Sequence, residues 1–120
     1  MLMSLTDVAA PAEPTNARAR VRAIYRDGSG RITADWPIDR IAEALADEKG
    51  ILWVDVLDPG SVDNRGVESM FRDTFHFHPL AIEDALKDTH VPKVDDWGTY
   101  LYIVFTSIDF DPESDDLCLH

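Results

Sequence analysis

Cysteine occurs once in the 120 residues, at Cys118, so no disulfide can close within the chain. That fits a reducing compartment. Long apolar runs are also missing: no stretch approaches the roughly 18 residues a membrane-spanning helix needs, and the segment is expected to make no membrane contact of its own. The opening MLMSLTDVAAPAEPTNARAR has no basic stretch ahead of an apolar one and does not read as a secretory signal. Positive charge is scarce, with 11 Lys and Arg against 23 Asp and Glu and a formal charge of −12. Such a surface repels nucleic acid phosphates and anionic headgroups and attracts cations. Nucleic acid is therefore excluded as a partner. Catalytic signatures are absent too: there is no Gly-rich phosphate loop, no H-E-x-x-H and no nucleophile elbow. Cys118 follows an acidic run that disfavours a thiolate. The reading is a non-enzyme with no small-molecule substrate.

What is present suits one globular domain, since 45% of the residues are hydrophobic. Residues 1–17 read as a flexible tail, and order is expected from about residue 18. In RVRAIYR, Val21, Ala23 and Tyr25 alternate with arginines, the period of a half-buried strand. DGSG turns the chain and RITA can pair back. In DWPIDRIAEALADEKG the spacing of Ile38, Ile41, Ala42 and Leu45 predicts a helix opened by Pro37 and stopped at Gly50. ILWVDVL (51–57) and YLYIVFTSI (100–108) are apolar on both parities, which predicts neighbouring interior strands buried on both faces. Between them Val67, Met70, Phe71 and Thr74 mark a helix face, and a further helix starts at Pro79. VPKVDDWGT reads as a short strand or loop, and the residues after DPESDD as the start of another strand. The fold class is α/β with α+β mixing, a mixed sheet flanked by helices and incomplete at its C-terminal end, as in a fragment.

FHFHPLAIEDALKD (75–88) holds most of the chemistry. On a helix Ile82, Ala85 and Leu86 share the core face, leaving Glu83, Lys87 and Asp88 wet. Glu83 and Lys87 stand four apart in the favourable order for an ion pair. Asp84 and Asp88 also stand four apart, where like charges repel and a nearby cation brings relief. Carboxylate oxygens suit hard ions such as Mg²⁺. Spacing alone equally describes the wet side of a helix, and favours that reading. His76 and His78 would share a side if extended and could grip a transition metal, giving a small metal-dependent hydrolase as a third reading. The remaining candidates His90, Cys118 and His120 stand at no ligand spacing, and His78 before Pro79 fits a helix cap better.

WVDVLDP, then F-H-F-H-P-L-A-I-E-D-A-L, then P-K-V-D-D-W-G-T-Y-L-Y-I-V-F together resemble the CorA family of magnesium and cobalt transporters over about residues 50–110. Val91 stands where many relatives carry a basic residue. The resemblance implies that residues 18–120 are part of an N-terminal regulatory domain without stalk, filter or membrane helices. It places the segment on the cytoplasmic side of the inner membrane, as part of an integral membrane protein whose partners are its own subunits in a homopentamer. It further implies a regulatory, divalent-cation-sensing half-site at Asp84, with Glu83 and Asp88 as neighbours. That site would bind Mg²⁺ weakly in the isolated chain, with Co²⁺ as a second ion. The runner-up is a free-standing acidic module that binds a basic protein.

Overall fold

A computed structural model describes residues 1–6, 20–57, 63–87, 91–111 and 116–119. Alternating apolar and polar side chains make Arg20–Arg26 a strand, β2, and bury Ala23 and Tyr25 on one side of it. The Asp27 carboxylate then accepts from the Ser29 and Arg31 amides. That turn returns the chain as β3 (Ile32–Thr33), with Tyr25 opposite Thr33. Both elements follow the sequence reading.

β4 (Ile51–Leu57) lies inside a four-stranded sheet of order β1-β4-β2-β3. It is antiparallel to β2 and parallel to β1, which is Leu2–Thr6. The tail expected over residues 1–17 is thus replaced by a strand at its start; residues 7–17 lie outside the described residues. β4 is interior in hydrogen bonding, but only Leu52, Val54 and Val56 are buried, while Ile51 and Trp53 remain more than 40% exposed. The expected burial on both faces does not occur. Nor is residues 100–108 its neighbour. β6 (Leu101–Val104) pairs instead with β5 (Lys93–Asp96) in a separate hairpin, and β7 (Ile108–Asp111) pairs with β8 (Asp116–Leu119) in another. An apolar run states that a strand forms; hydrogen-bonding partners are set by the turn between them. Here the short turn from Asp96 to Leu101 makes a local antiparallel pairing the nearer solution.

The core fills the space between the inner face of the sheet and three short helices, and the whole is a mixed α+β arrangement. A 3₁₀ turn at Ile38–Arg40 leads into α1 (Ile41–Ala46), which buries Ile41 and Ala44. Ile38 and Ala42, both expected inside, are exposed. The tighter 3₁₀ turn changes the phase of the helix that follows, so the apolar stripe begins at Ile41. α2 (Arg65–Ser69) runs directly into a π-helical turn, Met70–Thr74, closed by a 3.1 Å bond from the Phe75 amide to the Met70 carbonyl. Val67 and Phe71 face inward from this segment, as the sequence spacing predicts. α3 (Pro79–Leu86) completes the core with Ile82, while Ala85 and Leu86 pack at its margin, half-buried. Leu86 is therefore less enclosed than its spacing suggests.

Candidate functional site

The approach to α3 is set by backbone geometry. His76 takes φ 56°, a left-handed conformation costly for a residue with a β-carbon, and it turns the chain out of the π segment. His76 and His78 accordingly do not lie in an extended stretch. His78 is the N-cap of α3: its Nδ1 accepts from the Leu80 amide at 3.2 Å, and Pro79 occupies the first helical position. Its ring stacks on Trp97 with centroids 4.2 Å apart and planes 15° from parallel. Its amide donates to the Tyr100 hydroxyl at 2.7 Å. The capping role read from the sequence holds, and the metal-gripping alternative loses the geometry it needed.

Trp97 and Tyr100 belong to the turn between β5 and β6, which Gly98 makes possible with φ 85°. Tyr100 also packs against Phe77, 4.9 Å between centroids. The hairpin is thereby clamped to the start of α3, and its inner face is laid along the helix. Lys93 and Asp95, two apart on β5, share that face with Tyr102, which pairs opposite Asp95.

Lys93 reaches across to α3. Its Nζ lies 2.5 Å from Asp84 Oδ2 and 2.9 Å from Asp95 Oδ2. The Tyr102 ring lies 5.4 Å from the same ammonium. Side-chain exposures of 30% for Lys93, 34% for Asp84 and 38% for Asp95 make this a half-buried cluster rather than a solvated pair. Hydrogen bonds that the Lys93 ammonium donates, to Asp84 first and Asp95 second, hold it well above the usual lysine range. Burial first, and the Asp84 charge second, push the Tyr102 phenol up. Two carboxylates thus converge on one cation, leaving the trio with a net charge of −1.

The other sequence candidates are placed differently. Glu83 is exposed and pairs with Lys87, the residue that caps the C-terminus of α3, as the spacing predicts. Asp88, His90 and His120 lie outside the described residues. Among the described residues no group of three or more His, Cys, Asp or Glu is placed to hold a metal ion. Lys93 and Asp95 were missed as site residues. A lysine and an aspartate two apart in a strand that follows an acidic helix was the available signal, but nothing local announces that the strand folds back on that helix.

The half-buried trio of Asp84, Lys93 and Asp95 lies on a small α+β domain, within the stretch that the family comparison covers. The chain belongs to the CorA-like Mg²⁺ transporter family, whose pattern matches residues 48–119. It is 36% identical over 66 residues to a candidate metal ion transporter of Schizosaccharomyces pombe, covering 55% of this chain and 8% of that protein. It is 33% identical over 72 residues to another candidate metal ion transporter, from Bacillus subtilis, covering 60% of this chain and 20% of that protein. The chain therefore spans a fifth or less of the length of these relatives. No helix among the described residues is long and apolar enough to cross a membrane.

Proposed function

We propose that this chain is the N-terminal, divalent-cation-sensing part of a CorA-type magnesium or cobalt transporter, without enzymatic activity of its own. The observation that carries the reading is the placement of Asp84: it lies in the family-matched region, half-buried on α3, with its carboxylate paired to the Lys93 ammonium. The donor chemistry fits Mg²⁺, because carboxylate oxygens are the ligands that hard ions take. Asp84 would bind the regulatory ion directly. Glu83, on the adjoining surface, and Asp88, four residues on in the sequence, would add to the negative field that attracts it.

The site is a half-site. One or two carboxylates leave Mg²⁺ most of its waters, so binding by the isolated chain is weak. The missing ligands would come from a neighbouring subunit in a homopentamer on the cytoplasmic side of the membrane. An ion shared between facing carboxylates then holds subunits together, and its loss lets like charges push them apart. The test is Asp84→Asn in the transporter that carries this segment, with uptake measured against internal Mg²⁺. The variant should be less sensitive to inhibition by internal Mg²⁺. Unchanged sensitivity would remove Asp84 from the regulatory role.

A further inference from the structure

We infer that the outer face of the main sheet is the seat of a single helix from a protein partner, apolar along one stripe and acidic on either side of it. Register places the seat. Trp53 on β4 stands between Leu2 on β1 and Ile24 on β2. In the next row Ile51 stands beside Arg26, which faces Ile32 on β3. These five apolar side chains are between 41% and 67% exposed, while Met3, Ala23, Tyr25, Leu52 and Val54, which alternate with them, pack into the core on the other side. An apolar patch that continues across four strands is uncommon on a protein that works alone. Trp53 at its centre is the residue type that most often anchors an interface.

Width and charge identify the occupant. Three strands at the usual spacing put Leu2 and Ile24 roughly 10 Å apart, the diameter of one α-helix with its side chains. The row beyond, Ser4, Asp55 and Arg22, is polar, so a second copy laid sheet on sheet would bury that row as well. Arg20, Arg22 and Arg26 all lie on this face, alternating with the buried Ala23 and Tyr25. Asp55 stands opposite Arg22 in register and Asp35 pairs with it at 3.1 Å, so three arginines meet two carboxylates and the face is positive on balance. In a chain with 11 Lys and Arg against 23 Asp and Glu, that is a local reversal of sign. At physiological salt, charges beyond about 8 Å are screened, so a docked helix meets these arginines rather than the overall charge. The fitting partner carries carboxylates at the borders of its apolar stripe.

The experiment is an NMR titration of the 120-residue chain with two peptides of about 20 residues, long enough to be helical. Both carry the same leucine stripe, one with glutamate on its remaining positions and the other with lysine. The glutamate peptide should shift the Trp53 indole signal and the Ile24 and Ile51 amides saturably, and should bind there about tenfold more tightly than the lysine peptide, the scale of a few exposed ion pairs. The overall charge of −12 predicts the opposite order, so the two peptides separate local from global electrostatics. Trp53→Ser, at an exposed position, should weaken the glutamate peptide about tenfold or more. If that variant fails to fold, Arg20→Gln/Arg26→Gln decides instead, since it should bring the two peptides to within about threefold of each other. A Trp53 signal that does not respond to the glutamate peptide, a lysine peptide that binds this face as well or better, or unchanged binding in Trp53→Ser would each overturn the inference. Sedimentation of the free chain supplies the remaining outcome. A monomer leaves the face open for the helix, whereas a dimer that Trp53→Ser dissolves would make a second copy the occupant and overturn it.

Discussion

Tyr25 and Asp47 tie the two ends of the main sheet's turn region together through one carboxylate. The Tyr25 hydroxyl donates to Asp47 Oδ2 at 2.5 Å, and the Gly28 and Lys49 amides donate to the same carboxylate at 2.9 and 3.1 Å. Gly50 closes over them, where an added Cβ would meet the Tyr25 ring at 2.8 Å. The hydrogen bond to Asp47, with burial second, pushes the Tyr25 phenol up to about 12. The same bond, with the Gly28 amide second, holds Asp47 below the usual carboxylate range. The two effects have opposite senses in pH. Tyr25 favours the folded state fully below the ordinary tyrosine value of about 10, and that contribution is lost as pH rises through about 12. Asp47 contributes above the ordinary aspartate value, and its contribution is lost as pH falls through its lowered folded value. Ultraviolet titration should show a last phenol ionising near the upper end of this window, and Tyr25→Phe should abolish it. In the core, Ile82→Ala should cost about 2–5 kcal/mol in chemical denaturation, and Leu86→Ala roughly half as much because Leu86 keeps contact with water.

Among the elements, β2, β3, α3 and its histidine cap were legible in the sequence because each is decided locally. Alternation decides the strand. Pro79 decides the helix start, and a side-chain acceptor before it supplies the cap. What failed was decided at a distance. Ile51 and Trp53 look like core residues, yet they lie on the outer side of β4, because hydropathy records what a residue can bury and not what is there to cover it. YLYIVF reads as a sheet centre and is one arm of a hairpin, with Leu101 and Ile103 on its exposed face. The π turn has no sequence signal at all. Asp84 was singled out from its motif, but its meeting with Lys93 was not legible, since that depends on the hairpin docking against α3. That docking can be tested at His78. His78→Ala removes both the cap and the Trp97 stack and should cost about 1–2 kcal/mol. His78→Asn restores the cap acceptor alone and should recover part of that loss. Equal losses in the two variants would assign the whole effect to the stack.

For the molecule as a whole, the charge of −12 outweighs the individual pairs. Arg22–Asp35, Arg40–Glu43 and Arg72–Asp73 are all largely exposed, so each contributes little and each is weakened by salt. The surplus of carboxylates repels itself over longer distances, and salt weakens that as well. With acids outnumbering bases about two to one, the second effect should win. Thermal melts should therefore shift upward between about 10 and 300 mM NaCl, a span over which the Debye length falls from about 30 Å to several ångströms. A downward shift would mean that the surface pairs matter more than the overall field. This background also separates general from specific ion effects, since Mg²⁺ at matched ionic strength should add stability only through a carboxylate it occupies.

The stack of Trp97 on His78 has an optical consequence. Trp97 sits at the turn of the hairpin that brings Lys93 to Asp84, and its indole lies against an imidazole at 4.2 Å. Indole emission moves to the red when water replaces a packed ring. The other two tryptophans, Trp36 and Trp53, lie on the main sheet side and are absent from this contact. With both replaced by phenylalanine, the intensity and colour of the remaining emission would report directly whether the hairpin is seated on the helix. The fold thus carries a fluorescent gauge at the joint where Lys93 meets Asp84.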